Sequence, residues 1–260
     1  MKGDDLLFIS LPTYDGRAEL MSCWRFFNTP TASLRRRLLF GTGGGSLLAL
    51  SFNSLWTMAL NLQVKGFNIK YFGMMHSDVI PQDFWLDILY EELHSKFADV
   101  VSCVIPIKDD RGLTSTAIDD PENKFEVTRR LTSTEVQTLP ETFSAADCGY
   151  PDRALLVNTG CWLCRFDRDW RFKVHFTIND RIIRDSNGEW KAQVEPEDWN
   201  FSRQLHALGR KVYATRKVKV EHVGGIRFNN WEPFGKFAYD ETFADKFGHM
   251  TIGEKLCGKL

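Results

Sequence analysis

Short apolar runs alternate with longer stretches of helical periodicity along the first 107 residues of the chain. The runs have the length of buried strands, and the stretches carry apolar residues three and four positions apart, as helices packed on one face do. The predicted strands are 6–11, 69–75 and 100–107, and the predicted helices are 18–27, 47–63 and 83–94. This alternation predicts an α/β fold with a mostly parallel central sheet and helices on both faces.

A polar stretch interrupts this rhythm after residue 107 and contains Asp119-Asp120-Pro121. Structureless connections of such length are uncommon in compact domains unless they are functional, so we predict a long loop excursion over the sheet near residues 109–150. The pattern then predicts a strand at 155–166, a helix at 199–208 and one or two strands at 211–223.

No internal repeat or low-complexity linker divides the 260 residues, whose length fits one large domain or two small ones. We predict a single domain over 1–260. The 43% hydrophobic and 13% aromatic content excludes a disordered, collagen-like or disulfide-scaffold chain. No run reaches the roughly 18 apolar residues of a membrane span, and the start lacks a signal peptide, so we expect a cytoplasmic protein.

Charge is distributed unevenly, although the chain as a whole has a formal net charge of -1. Residues 78–152 hold 16 acidic against 6 basic side chains, whereas residues 203–227 hold 7 basic against the single acid Glu221. The neutral total excludes a wholly basic nucleic-acid-binding protein. The basic segment at 203–227 is either a solvated face or a track for phosphates.

Two small clusters, the glycines at 41–45 and the pair Cys161 and Cys164, each contain only part of a known binding motif. The glycines at 41–45 lack the Lys of a phosphate-binding P-loop and the distant acidic residue of a dinucleotide fold, which favours a turn before a helix with Ser46 as its N-cap. Cys161 and Cys164 lack the second close pair of a structural zinc site, and buried thiols on a strand are the simpler interpretation.

Polar residues follow the apolar strands at positions where a site is expected. His76-Ser77-Asp78 comes directly after the strand at 69–75, Glu197-Asp198-Trp199 opens a helix, and His222 ends a later strand. In open sheets, ligands gather at the carboxyl ends of the strands, and Asp with His suits Mn²⁺ or Mg²⁺. The alternative roles are a turn residue for Asp78 and a helix N-cap for Asp198.

The order of these motifs resembles that of a known enzyme family. The motifs are Pro12-Thr13-Tyr14, Ser46-Leu47-Leu48 through Asn53, His76-Ser77-Asp78, Glu197-Asp198-Trp199-Asn200-Phe201 and His222. Over residues 6–225 the chain resembles the nucleotide-sugar-dependent glycosyltransferases of GT-A fold, specifically those of the family 2 type. The resemblance implies a single GT-A, Rossmann-like domain in which 1–107 is the nucleotide-sugar-binding half and 108–260 the acceptor-binding half.

The resemblance also implies roles for individual residues. Asp78 and His222 would bind Mn²⁺ or Mg²⁺, and Asp198 would be the general base of an inverting transfer. The donor contacts would be Pro12, Thr13, Tyr14, Asn53, His76, Ser77 and Asp78, and the acceptor contacts would be Asn158, Gly160, Trp162, Glu197 and Trp199. A core position is the alternative for Trp162.

Two departures from the family pattern affect the donor side. His76 stands where the family has the first Asp of an Asp-x-Asp motif, and Phe52 replaces the Arg that precedes the helical Asn. His76 is either a donor or metal contact or a loop histidine. A UDP-linked donor is expected, although no clear Asp follows the second strand in the position that recognises uracil.

The resemblance leaves three functions open, of which two are sugar transfer to different acceptors and the third is non-catalytic. The chain is similar to compact viral and metagenomic glycosyltransferases, some of which modify hydroxymethylated pyrimidines in phage DNA, so a 5-hydroxymethylpyrimidine in DNA, such as 5-hydroxymethylcytosine, is the leading expected acceptor. The basic segment and Arg35-Arg36-Arg37 are compatible with contacts to the DNA backbone. A glycan, lipid or small-molecule hydroxyl is the second acceptor class, and a non-catalytic nucleotide-sugar-binding module is the third function.

Overall fold

The computed structural model describes residues 5–29, 31 and 37–235. The strands are β1 Leu6–Thr13, β2 Leu38–Gly44, β3 Ile69–Met75, β4 Val79–Pro81, β5 Val100–Cys103, β6 Leu113–Asp119, β7 Val127–Thr132, β8 Thr142–Phe143, β9 Leu155–Leu156, β10 Cys161–Arg165, β11 Asn179–Arg184, β12 Trp190–Glu195, β13 Val212–Thr215, β14 Val220–Val223 and β15 Arg227–Asn229. The helices are α1 Leu20–Phe27, α2 Leu48–Val64, α3 Trp85–Ser95, α4 Glu135–Thr138 and α5 Glu197–Ala207.

A seven-stranded sheet in the order β2-β1-β3-β10-β5-β13-β8 forms the centre of the described chain. Three of its strand pairings are parallel and three are antiparallel, because β10 and β8 run against the other strands. The fold is therefore mixed α/β, and the predicted parallel majority is not confirmed. The antiparallel strand β10 lies between β3 and β5.

Helices cover both faces of this sheet, as the alternation of the first strands requires. Leu7, Ile9 and Leu11 of β1 pack with α3 and Phe26 of α1 on one face. Leu6 and Phe8 point to the opposite face, where α2 and α5 contribute to the second core. Successive strand residues point to opposite faces, so one apolar strand contributes to both cores.

The glycine cluster lies in a strand rather than in a turn, except for Gly45, which follows the strand. Strand β2 extends to Gly44, and a Cβ on Gly41 would lie 2.2 Å from Cζ of Phe8 on the neighbouring strand. Glycine at position 41 therefore leaves room for the Phe8 ring. Ser46 is not the N-cap of α2, since Leu47 holds that position and makes no side-chain capping bond.

The predicted loop excursion at 109–150 is wrong, because this stretch contains two strands of a second sheet, a short helix and a strand of the central sheet. Strand β6 pairs with β7 on one side and with β9 on the other in a three-stranded sheet, and α4 and β8 follow β7 in the chain. The polar residues of β6 include two threonines, Thr114 and Thr116, whose β-branched side chains suit a strand. Thr114 is buried, and its hydroxyl donates to the carbonyl oxygen of Leu131 at 2.8 Å.

The predicted strands at 155–166 and 211–223 each divide into two strands of different sheets. Strand β9 belongs to the small β7-β6-β9 sheet, whereas β10 enters the central one. Likewise β13 enters the central sheet, and β14 forms a second three-stranded sheet with β15 and β4. This last sheet positions the candidate site. Among the described residues, no helix combines the length and the apolar character needed to cross a membrane.

Arg203 fastens α5 to the small sheets through buried ion pairs. Its Nε donates to Asp119 at 2.6 Å, and its Nη1 donates to Glu195 at 2.7 Å. The Glu195 side chain is 1% exposed, so its charge has almost no solvent and depends on its partners. The same guanidinium lies over the ring of Trp199. Arg203 thus sets the position of the first turn of α5.

We expect Arg203→Met to lower the free energy of unfolding by about 3–5 kcal/mol, because it removes the cationic partner of two buried carboxylates, those of Asp119 and Glu195. Urea denaturation followed by tryptophan fluorescence measures the change. Arg227→Met is the matched control, since Arg227 pairs with Glu221 at 2.9 Å but is 53% exposed. That control should cost about 1 kcal/mol or less. Equal losses in the two variants would contradict the role given to Arg203.

Candidate functional site

Antiparallel pairing of two short strands brings together the first two candidate residues. Val79 of β4 lies opposite His222 of β14, and the backbone N–H of Val223 donates to the carbonyl of Asp78 at 2.8 Å. The side chains meet as a consequence, with Nε2 of His222 3.5 Å from Oδ2 of Asp78. Residues 144 positions apart in the chain are thus neighbours, and their common role in one site stays a prediction.

The tautomer of His222 follows from its other ring nitrogen. Nδ1 lies 2.7 Å from the carbonyl oxygen of Pro106, which only accepts hydrogen bonds. We therefore assign the proton to Nδ1. In the neutral ring this leaves the lone pair of Nε2 directed toward Asp78, the state in which histidine binds metal ions.

Lys108 is a third charged residue of this cluster and is absent from the sequence predictions. Its Nζ lies 2.5 Å from the same Asp78 Oδ2 atom that faces His222. Burial raises the pKa of Asp78, but the His222 ring in its protonated form and the Lys108 ammonium outweigh that effect and hold the pKa well below its usual range. Asp78 is thus ionised at neutral pH.

His76 lies half-buried against Phe52, with 5.1 Å between the ring centroids. Burial lowers the pKa of His76 to about 4, although the charge of Asp78 opposes the shift. Its Nε2 atom is buried and has no hydrogen-bond partner among the described residues. The ring is therefore neutral and holds one unused polar atom near Asp78. Whether a donor uses it stays a prediction.

Three hydrogen bonds connect the His76-Ser77-Asp78 segment to Asp198. The backbone N–H of His76 donates to the carbonyl of Gly160 at 2.7 Å, and the N–H of Gly160 donates to Oδ1 of Asn158 at 2.6 Å. Nδ2 of Asn158 then donates to Oδ2 of Asp198 at 3.3 Å. A Cβ on Gly160 would lie 2.5 Å from Oδ1 of Asn158, so glycine is needed for this arrangement.

Asp198 and Glu197 form the buried first turn of α5. Oδ1 of Asp198 accepts a hydrogen bond from the N–H of Trp199 at 2.8 Å, so the side chain also satisfies a helix-terminal donor. Burial raises the pKa of Asp198 to about 6, while Arg130 and Asn158 act in the opposite direction. Burial and the neighbouring charge of Asp198 raise the pKa of Glu197 to about 8. At pH 7, Asp198 is thus mostly ionised and Glu197 mostly protonated.

Arg130 is a second residue that the sequence predictions missed. It is buried in β7, and its guanidinium lies over the ring of Trp199 at 5.1 Å. Arg203 lies 5.8 Å from the same ring. The two cations hold Trp199, which is 4% exposed and packs with Leu156 and other apolar residues of the core. The burial of Trp199 leaves little of its ring for an acceptor.

Lys108 and Arg130 escaped prediction because both lie in or beside the stretch interpreted as a loop. A usable signal was present, since only 6 basic residues occur among the 22 charged residues of 78–152. Isolated cations in an acidic stretch are candidates for buried or paired charges.

The predicted donor contacts are spread over one edge of the sheet. Pro12 and Thr13 end β1, which lies beside β3 in parallel, so they share an edge with His76 and Ser77. Tyr14 is 69% exposed beyond that edge. The carbonyl of Ser77 accepts a hydrogen bond from the N–H of Glu19. The donor contacts of these residues stay predictions.

Two predicted contacts have other partners in the structure. Both halves of the Asn53 amide bond to the backbone of Phe176, with Nδ2 donating at 2.7 Å and Oδ1 accepting at 2.9 Å. Trp162 is 1% exposed and packs in the aromatic core with Trp56 and Phe201. Trp162 therefore offers no open ring face to an acceptor, and Asn53 holds α2 to a neighbouring segment.

The Asp78 and His222 pair fits a divalent cation as a two-ligand site. It offers one ionised carboxylate and one imidazole nitrogen with a free lone pair, a donor set that Mn²⁺ accepts. The described residues contain no group of three or more His, Cys, Asp or Glu side chains able to hold a metal ion. Oxygen atoms of a bound donor and water would have to complete the coordination.

Comparisons with known proteins add little to this geometry. No protein-family model and no curated protein matches the sequence. Among solved structures, A197 from STIV matches with a TM-score of 0.46 and 15% sequence identity, covering 84% of this chain and 86% of that one. No functional conclusion is drawn from a likeness at that level.

We expect Glu197→Gln to reduce the pH dependence of stability. The folded protein keeps a proton on Glu197 that the unfolded chain releases above pH 4.5, so stability is lost as pH rises from there to about 8. The loss amounts to about 1 kcal/mol per unit of pKa shift. Urea denaturation at pH 5 and pH 8 should show the loss in the wild type and a smaller one in Glu197→Gln.

The control for this measurement is Glu232→Gln, because Glu232 is exposed. It should follow the wild type at both pH values. A Glu197→Gln variant with the full wild-type slope would contradict the raised pKa of Glu197.

Proposed function

We propose that the protein is a divalent-cation-dependent, inverting glycosyltransferase that moves a sugar from a nucleotide-sugar donor to a hydroxyl group. The observation that carries the proposal is the chain of three hydrogen bonds through Gly160 and Asn158, which connects the buried carboxylate of Asp198 to the backbone of His76, two residues before Asp78. The order of the sequence motifs supports the same function.

Asp78 and His222 are the residues that would hold the cation, and β4 with β14 fixes their mutual position. When bound, such a cation neutralises the charge that develops on the leaving diphosphate. The donor side also includes Pro12, Thr13 and Tyr14 at the end of β1, where a UDP-linked donor would place its base. In this proposal the cation ligands come from both halves of the chain, 1–107 and 108–260.

Asp198 would act as the general base. Its raised pKa of about 6 leaves it ionised at neutral pH yet more basic than an ordinary carboxylate. As the acceptor oxygen bonds to the anomeric carbon, Asp198 takes the hydroxyl proton, and the bond from that carbon to the diphosphate oxygen breaks. Asn158 orients the carboxylate through its 3.3 Å hydrogen bond. The acceptor oxygen, and not a protein side chain, attacks the anomeric carbon. This single displacement inverts the configuration of that carbon.

The acceptor side involves Asn158, Gly160 and Glu197 around Asp198. A protonated Glu197 is a hydrogen-bond donor, which suits recognition of a second acceptor oxygen. This arrangement favours a hydroxyl-bearing acceptor without specifying a polymer.

The DNA acceptor gains little support from the basic segment at 203–227. Arg203 pairs with Asp119 and Glu195, and Lys217 pairs with Glu92 at 2.6 Å. Cations used inside the protein are not free for phosphates. Arg35 and Arg36 lie outside the described residues, and Arg37 donates to the carbonyl of Asp5. A glycan or small-molecule acceptor needs no such cationic track, so we favour that class.

We expect Asp198→Asn to reduce kcat by about 10²- to 10⁴-fold while leaving donor affinity within a few fold, since the general base acts on the acceptor. The assay incubates UDP-, GDP-, ADP- and CMP-linked sugars with glycan, small-molecule and 5-hydroxymethylcytosine DNA acceptors and detects product by mass. In the wild type, kcat/KM should fall as pH drops below about 6.

Asp152→Asn is the matched control, because this aspartate is exposed. It should retain wild-type turnover. Full transfer by Asp198→Asn would remove the base assignment. Donor binding without transfer to any acceptor, with Asp198→Asn indistinguishable from the wild type, would indicate the non-catalytic binding module.

Chelation should abolish transfer, and added Mn²⁺ or Mg²⁺ should restore it. His222→Ala should raise the Mn²⁺ concentration needed for half-maximal turnover at least tenfold, because it removes one of two protein ligands. His206→Ala is the control, since His206 lies exposed at the far end of α5. Undiminished turnover in chelator would remove the cation from the proposed function.

A further inference from the structure

The ammonium group of Lys108 and a divalent cation would compete for one oxygen atom, Oδ2 of Asp78, at the candidate site. Oδ2 of Asp78 lies 2.5 Å from Nζ of Lys108 and 3.5 Å from Nε2 of His222. A divalent cation held by Asp78 and His222 would need that carboxylate, and like charges at such distances repel strongly. Lys108 and the cation therefore cannot both keep close contact with this oxygen.

Lys108 has room to leave Asp78. Its side chain is 35% exposed and that of Asp78 is 38% exposed, so the ion pair is accessible to solvent. The aliphatic stem lies against Gly224, where a Cβ would come within 3.1 Å of Cδ of Lys108. A Cβ on the next glycine, Gly225, would have no atom within 4 Å. A flexible four-carbon stem beside two glycines can move its ammonium by several ångströms.

The charge balance indicates where the ammonium would move. A diphosphate brought to Asp78 and His222 carries negative oxygens next to Lys108, and an ammonium binds phosphate as a compact point charge. Moving to the diphosphate exchanges one carboxylate partner for an anion of higher charge. The exchange also frees Asp78 for the cation.

We propose that Lys108 is a diphosphate-binding residue that occupies Asp78 in the free protein and transfers to the donor's diphosphate when the donor binds, thereby releasing Asp78 to the divalent cation. The inference rests on the proposed function, because the diphosphate belongs to the donor. It adds a specific coupling, in which Lys108 weakens cation binding in the absence of donor and strengthens diphosphate binding. Coupling of this kind between two ligands is reciprocal.

The first test measures the two ligands separately. Mn²⁺ binding is followed by electron paramagnetic resonance without any phosphate, and inorganic pyrophosphate binding by calorimetry without metal. Lys108→Met should bind Mn²⁺ about five- to tenfold more tightly than the wild type and pyrophosphate at least fivefold more weakly. Lys217→Met is the matched control, because Lys217 makes a 2.6 Å ion pair with Glu92, outside the site. It should change neither affinity.

The second test separates the exchange of partners from a simple change in net charge. Asp78→Asn frees Lys108, so it should bind pyrophosphate more tightly than the wild type. In a Lys108→Met background the same substitution should give a gain at least threefold smaller. Equal gains in the two backgrounds would mean that the charges act independently, and this would overturn the proposal.

The two proposals fail in different ways. Unchanged affinities in Lys108→Met, together with metal-dependent sugar transfer by the wild type, would reject the role of Lys108 and leave the glycosyltransferase proposal standing. Opposite shifts in Mn²⁺ and pyrophosphate affinity, without any sugar transfer, would support the exchange and reject the glycosyltransferase. Thermal melting verifies that each variant folds, and Lys108→Gln repeats the measurement if Lys108→Met does not.

Discussion

The insertion of β10 between β3 and β5 is the constraint on which the rest of the structure depends. Its first four residues alternate between the two cores, with Cys161 and Leu163 on one face and Trp162 and Cys164 on the other. Because the two cysteines point to opposite faces, they cannot share a metal ion. Pairing of Cys161 with Met75 also brings the start of β10 to the end of β3. Both cores and the connection to Asp198 thus follow from the register of one strand.

The site combines two electrostatic environments that the fold keeps apart. Around Asp78, partial exposure and two basic neighbours favour the ionised carboxylate. Around Asp198, burial raises the pKa, and Arg130 limits the rise. One carboxylate is thereby suited to hold a cation and the other to accept a proton. The difference arises from burial and neighbouring charge, since both residues are aspartates.

The first half of the chain was the more predictable from sequence. Its apolar runs and periodic helices predict β1, β3, β5 and the three helices between them, because local alternation there coincides with burial on both faces of one sheet. Strands β2 and β4 were missed. Between 109 and 150 the prediction failed. Thr114 and Thr116 of β6 have polar side chains, yet both are buried because β6 pairs with β7 and β9. The hydroxyl of Thr114 donates to the carbonyl oxygen of Leu131. Periodicity of side-chain polarity cannot report such pairing between distant segments.

The sequence by itself determined the α/β class, the order of the motifs and the residue types available for chemistry, because these depend on local pattern and composition. Only the tertiary structure decided which of them meet. Pairing of β4 with β14 joined Asp78 to His222 and admitted Lys108, whereas packing placed Trp162 in the core and turned Arg203 inward. Such outcomes depend on contacts between segments far apart in the chain, and no local pattern encodes them.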